Sequence, residues 1–330
     1  WRYKFRCWLW IYSVHLKSKA SAPGKIILFG EHFVVYGVKA ILCAINKRIT
    51  VSATKIQENT ISIKSNIGNL ITTPNRPITE INSPLKPFYF IANKMIEKYK
   101  STTGIEILIQ SEIPLGVGLG SSSACCVAGA AAISRLFAKT SKKEILDLAI
   151  EAEKTIFQNT SGADCTVCTF GGIMEYDRKN GFSKINLEPN FHLVIANSKI
   201  EHSTEIIVSN VRQIKEKNED RFSILCKEES DLINNVLILL KNNDLIGLGK
   251  SMVKNQEYLE AIGVSNEKLR SMIELAQKSS FGSKITGAGG GGCIIALTNE
   301  LNVEKVIEKF KEKNYECFSV KIDFKGLDTF

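Results

Sequence analysis

One segment restricts this chain more than any other: Ile113-Pro-Leu-Gly-Val-Gly-Leu-Gly-Ser-Ser-Ser123, set between an apolar run and a stretch of small residues. The spacing predicts a strand over 105–109 and a helix over about 124–137. Glycines let a backbone approach an anion closely, and the first amides of a helix are unpaired donors at the positive end of its dipole. Three serines add hydroxyls, one of which could reach a magnesium ion. In physical terms this is a phosphate site. It is not a Walker A loop, because no Lys falls between Lys100 and Lys139. It is not a dinucleotide fingerprint either, because the third glycine position is Ser121. The bland alternative, glycines that serve only a tight turn, does not account for the serine run.

A chain of 330 residues favours two domains, with a boundary placed near Pro189. The expected units are 17–189 and 190–330, preceded by an atypical leader over 1–16. Strands are expected at 25–29, 41–53, 173–176, 183–187, 193–196, 293–297 and about 317–322. Helical spacing covers 87–99, and Ser141 with Glu144 forms a capping box opening a helix to about 157. Asn180-Gly181 between two strands is a hairpin signal. Strands in hairpins as well as beside helices favour an α+β fold over a doubly wound parallel sheet.

The net charge of +9 suggests nucleic acid, so its location matters. Six bases and no acid fall in the first 25 residues, leaving 37 bases against 34 acids in the remainder. A phosphate-backbone groove needs clustered bases in the body of the fold, so no nucleic-acid partner is expected. No stretch approaches the ~20 apolar residues of a membrane span, so no membrane partner is expected. The leader holds all three Trp. It fails as a signal peptide, because cleavage near Ala20-Ser21-Ala22 would cut into the first strand. It reads instead as foreign to the fold. Nine Cys, with one CxxC at Cys165 and Cys168 and an adjacent pair at Cys125 and Cys126, read as small buried hydrophobes in a reducing cytoplasm.

Pro114-Leu-Gly-Val-Gly-Leu-Gly-Ser-Ser-Ser123 resembles the ATP-binding loop of the GHMP kinases. Three further segments resemble that family in the same order. Ala22-Pro-Gly-Lys25-Ile-Ile-Leu-Phe-Gly-Glu31-His32-Phe-Val-Val-Tyr-Gly37 is similar to its first motif. Thr160-Ser-Gly-Ala-Asp164 through Gly172 is similar to the segment with the catalytic Asp. Ser283-Lys-Ile-Thr-Gly-Ala-Gly-Gly-Gly-Gly292 is similar to its third motif. Within the family, Lys25, His32 and Val34–Gly37 resemble the mevalonate kinase branch, as does Asn255–Ser265.

The resemblance implies a two-domain fold of mixed and antiparallel sheets with helices, and an active site in the cleft between domains. It implies an ATP:alcohol phosphotransferase using ATP and Mg²⁺, with mevalonate as the small-molecule substrate; a homodimer stays open. Pro114, Gly116, Gly118, Leu119, Gly120, Ser121, Ser122 and Ser123 would bind the nucleotide, and Ser122 with Glu153 the metal. Asp164 and Lys25 would be catalytic. Glu31, His32, Thr204, Gly287, Ala288 and Gly289 would line the substrate, and Asn46 is a candidate adenine contact. Three positions depart from the family pattern: Glu205 where an Arg is common, Cys125 where some members have an aromatic, and Thr160 where Pro is common. Alternatives are a family kinase for phosphomevalonate, galactose or homoserine, and a non-catalytic sensor. Read alone, His32 is a structural histidine, Lys25 a surface charge, Asp164 a cap, and Glu153 one more acid on a solvated helix.

Overall fold

The computed structural model describes residues 16–114, 116–201 and 203–330, so the expected leader falls outside it except for Leu16. In chain order the strands are β1 (Lys17–Phe29), β2 (Ala40–Ile56), β3 (Ile61–Ser65), β4 (Gly68–Thr72), β5 (Gly104–Ser111), β6 (Ile173–Asp177), β7 (Gly181–Ile185), β8 (His192–Asn197), β9 (Gly282–Ile285), β10 (Cys293–Thr298), β11 (Glu316–Val320) and β12 (Asp328–Thr329). They form two sheets. The first runs β12-β1-β2-β5-β3-β4, with β6 on β2 and β7 on β6; the second runs β11-β8-β10-β9. Every pairing is antiparallel except β3 with β5. With the helices below, this is the α+β class expected.

The strands follow from alternation. In β2, Ile49, Val51 and Ala53 are buried while Thr50, Ser52 and Thr54 between them are half-exposed, which is the period-2 signature of a sheet with one covered face. β1 begins eight residues before the expected start at Lys25. Pro23-Gly24 is a bulge inside the strand, where the register against β2 shifts, and a bulge is a place where a sheet tolerates proline. The β3–β4 hairpin was not expected; its strands are five residues each and carry Lys64, Asn69 and exposed Ile71, so they lack a clean apolar face.

The helices are α1 (Lys86–Lys98), α2 (Ser121–Ser134), α3 (Lys142–Glu153), α4 (Ala163–Phe170), α5 (Thr204–Lys217), α6 (Glu219–Lys241), α7 (Leu245–Ala261), α8 (Glu267–Gln277) and α9 (Val303–Glu312). Among the described residues, no helix is long and apolar enough to cross a membrane. Small side chains let α2 be covered on several sides at once, by α1, α3, α4 and β1. A Cβ on its Gly129 would lie 2.7 Å from the Phe88 ring of α1. The capping box of α3 forms as expected: Glu144 N–H donates to the Ser141 hydroxyl, and the Glu144 carboxylate accepts from Ser141 N–H. α3 stops at Glu153, four residues short of expectation, so that Glu153 sits at the helix end.

The two sheets are joined by more than the chain passing between them. After β11 the backbone returns to the first sheet, with Ile322 bridging Ile45 and β12 pairing with β1. Arg48 fixes this return by an ion pair with Asp323 and a 2.7 Å bond to the Gly326 carbonyl. Asn46 also serves it, accepting from Lys321 N–H at 2.9 Å, so its side chain is engaged with backbone.

Candidate active site

The glycine loop is seated directly on β1. Lys25 N–H donates to the Leu119 carbonyl at 2.9 Å. Gly120 has φ +71°, and a Cβ there would lie 2.7 Å from Lys25 Cγ, so only glycine lets loop and strand close this far. Gly116 and Gly118 also have positive φ, but a Cβ on either would meet nothing within 4 Å. They shape the loop and leave open space beside it. Leu119 is buried and anchors the loop, while Pro114, Ser121 and Ser122 are half-buried at its edge. Gly120 is the N-cap of α2 and has no capping side chain, so the first amides of the helix keep their donors for another acceptor.

Asp164 lies in the first turn of α4, and its carboxylate Oδ2 is 3.0 Å from Lys25 Nζ. The lysine side chain is 7% exposed and the aspartate 33%. The ammonium is thus enclosed while the carboxylate keeps an open side. Gly162, at φ +74°, caps α4 and brings Asp164 to this place; a Cβ there would strike Ile150 of α3 at 2.7 Å.

Glu153 is buried and its two oxygens are taken by hydroxyls. Ser123 donates to Oε1 and Thr160 donates to Oε2 at 2.5 Å. The serine bonded to Glu153 is thus Ser123, while Ser122, the serine expected to share a metal with Glu153, is half-buried at the loop edge. Neighbouring helical residues point about 100° apart, so one serine of the pair turns toward α3 and the other stays at the cleft edge. Thr160, a departure from the family pattern, is the second donor.

The second sheet supplies the opposite wall. Thr286 donates to the Ile27 carbonyl at 2.8 Å. The following glycines turn through positive φ at Gly287, Gly289, Gly290 and Gly292. Gly289 packs so closely under Val264 that a Cβ would lie 2.4 Å from its carbonyl. Gly287 has nothing within 4 Å of its would-be Cβ. The Ala288 carbonyl is 2.7 Å from His32 Nε2, so this nitrogen carries the proton and donates. Burial lowers the imidazole pKa, which keeps the ring neutral at neutral pH and leaves Nδ1 as an acceptor. Thr204 is the first residue of α5 and exposed; four residues before it, the Ile200 carbonyl accepts from Gly292 N–H.

Glu31 is not open to a ligand. It forms an ion pair with Lys284, and both side chains are fully enclosed. Burial pushes the Glu31 carboxyl up against the pull of Lys284, and pushes the Lys284 ammonium down. Next to them, Glu229 of α6 accepts Gly30 N–H at 3.0 Å and both oxygens contact Asn255 Nδ2 at 2.7 Å. Burial raises the Glu229 carboxyl to about 8. This cluster fixes the residues on the N-terminal side of His32, whose own φ is +58°. Lys284 and Asn255 lie inside segments the sequence singled out, but Glu229 gave no signal. It is adjacent to Glu228 on a helix whose acids mostly face water.

A profile described as GHMP kinases N terminal domain matches residues 86–172, and one described as GHMP kinases C terminal matches 236–316. A mevalonate kinase of Archaeoglobus fulgidus is 35% identical over 286 residues, 84% of this chain and 91% of that protein. The crystal structure of Methanococcus jannaschii mevalonate kinase superposes with a TM-score of 0.83 at 29% identity, covering 94% of this chain and 99% of that one. L. major mevalonate kinase, solved in complex with R-mevalonate, superposes at 0.81 with 25% identity, covering 94% and 98%. Because both profiles match in order and the relatives run through nearly the whole described fold, this chain belongs to the GHMP kinase family.

Proposed function

We propose that this chain transfers the γ-phosphoryl group of ATP to the primary hydroxyl of mevalonate, giving 5-phosphomevalonate. The observation that carries the reading is the Lys25–Asp164 pair beside the glycine loop. A carboxylate and an ammonium stand together where an alcohol and a triphosphate could meet. The likeness to mevalonate kinases over nearly the whole chain supports mevalonate as that alcohol.

The amides of the loop and of the first turn of α2 would hold the phosphates, since they are donors at a helix N-terminus with open space beside Gly116 and Gly118. Phosphoryl transfer needs alignment and charge neutralisation more than covalent chemistry from the protein. Asp164 accepts the proton of the hydroxyl, or orients it, as the oxygen forms its bond to phosphorus and the bond to ADP breaks. Lys25 holds Asp164 in place and polarises the same hydroxyl. His32 Nδ1 is free to accept a hydroxyl proton of the substrate, and the loop over Gly287–Gly292 forms the wall facing it.

The donor set fits Mg²⁺. Glu153 and the loop hydroxyls are hard oxygen ligands, and magnesium in nucleotide sites takes one or two carboxylates, with phosphates and water completing its shell. Glu153 with Ser122 or Ser123 would hold it, and when bound it neutralises charge developing on the phosphate oxygens. The test is an ATP-dependent phosphorylation assay on mevalonate, phosphomevalonate, galactose and homoserine. Turnover with mevalonate well above the others is expected; preference for another alcohol overturns the substrate assignment, and no turnover with any overturns the kinase.

A further inference from the structure

The role of Thr160 follows from the bonds around one hydroxyl. Glu153 ends α3, is buried at 3% exposure, and no ion pair to it is seen among the described residues. A carboxylate in that position needs hydrogen-bond donors. Ser123 supplies one from α2 and Thr160 the other from the α3–α4 connection. The Thr160 oxygen also accepts the Gly162 N–H at 3.2 Å. Gly162 caps α4, and its carbonyl in turn takes both the backbone N–H and the hydroxyl of Thr166. One oxygen atom thus joins the buried acid of α3 to the residue that starts α4, two positions before Asp164.

We infer that Thr160 is a positioning residue that couples the metal-binding acid to the helix bearing Asp164. Its proton goes to Glu153 Oε2, which leaves Oε1, on Ser123 at the start of α2, as the oxygen next to the glycine loop. Its lone pair goes to Gly162 N–H, which fixes the cap. The geometry couples two requirements of phosphoryl transfer, a held cation and an aligned carboxylate, through one hydroxyl bonded to Glu153 and to Gly162 N–H. This inference rests on the proposed kinase reading, in which Glu153 serves the cation.

The variants Thr160→Val and Thr160→Ser separate the hydroxyl from the shape of the side chain. Valine keeps the volume and leaves both Glu153 Oε2 and Gly162 N–H without this partner; serine keeps the hydroxyl. Binding of Mn²⁺ to the enzyme–ADP complex is read by the loss of free Mn²⁺ signal in electron paramagnetic resonance, alongside kcat and the KM for nucleotide. Thr160→Val is expected to weaken Mn²⁺ binding by about 10- to 100-fold, the usual effect of removing a partner of a metal ligand. It should also lower kcat, and Thr160→Ser should recover most of both losses. If Thr160→Val does not fold, Thr160→Ala takes its place against serine. Mn²⁺ affinity unchanged in the hydroxyl-free variant overturns the inference, as does a serine variant as impaired as valine. Failure of the wild-type chain to bind Mn²⁺ with ADP would instead count against the kinase reading itself.

Discussion

Lys25 Nζ lies 3.0 Å from Asp164 Oδ2, joining a bulged strand to the first turn of a short helix across 139 residues of chain. The bulge at Pro23-Gly24 interrupts the regular ladder just before Lys25. A Cβ on Gly24 would lie 2.8 Å from the Leu119 carbonyl, so glycine there also lets the loop approach. A side chain at Gly24 would meet the loop and one at Gly120 would meet Lys25 itself, so both glycines let the loop sit close to the strand that carries the lysine.

Asp164→Asn should lower kcat by orders of magnitude, because the amide cannot accept a proton in the transition state. Nucleotide affinity, which depends on the loop and α2, should change only modestly. Steady-state kinetics with a separate nucleotide titration checks this; near-normal turnover contradicts the role given to Asp164.

Gly120→Ala places a Cβ in a left-handed conformation, a cost of about 1–2 kcal/mol, and presses it against Lys25 Cγ. Gly116→Ala carries the same conformational cost but meets no neighbour within 4 Å. At saturating nucleotide, kcat should fall further in Gly120→Ala. Equal losses would show that the contact with Lys25 is unimportant.

The buried Glu31–Lys284 pair should respond non-additively to substitution. Removing one partner strands the other charge in the interior, a cost of about 3–5 kcal/mol. Glu31→Gln and Lys284→Met should each show this in denaturant melts. The double variant should lose less than the two together, and simple additivity would contradict the coupling.

Burial raises the Glu229 carboxyl from 4.5 to about 8. Between those values the folded chain holds a proton that the unfolded chain has released. Stability contributed by this group is present below its unfolded value and declines as pH rises through the window, by at most about 1.4 kcal/mol per pH unit. Glu229→Gln carries no charge at any pH, so its melts across the window should decline less steeply. Parallel curves for wild type and variant contradict the assignment.

The candidate site was legible where motif and geometry share a local cause. The glycines at 116, 118 and 120 needed positive φ, and the strand–loop–helix order around them could be read from periodicity. Asp164 and Lys25 were marked only by resemblance, since each alone reads as a cap and a surface charge. The choice between Ser122 and Ser123 was not legible, because it turns on a rotation of α2 that tertiary packing sets. Glu229 was hidden for a similar reason: what distinguishes it from Glu228 is the face of α6 that meets Gly30 and Asn255. In the fold, hairpin signals correctly indicated mixed α+β architecture. The start of β1 was missed because Pro-Gly reads as a boundary, whereas here the partner strand holds the chain straight through a bulge.

In this reading the Lys25–Asp164 pair meets an alcohol beside a triphosphate held by the glycine loop. A single-turnover experiment with γ-labelled ATP and mevalonate, run on wild type and Asp164→Asn, tests it most directly. Label in the mevalonate product is expected for wild type, and bound but untransferred label for the variant. No label on mevalonate with wild type, or transfer at the same rate by the variant, would contradict it.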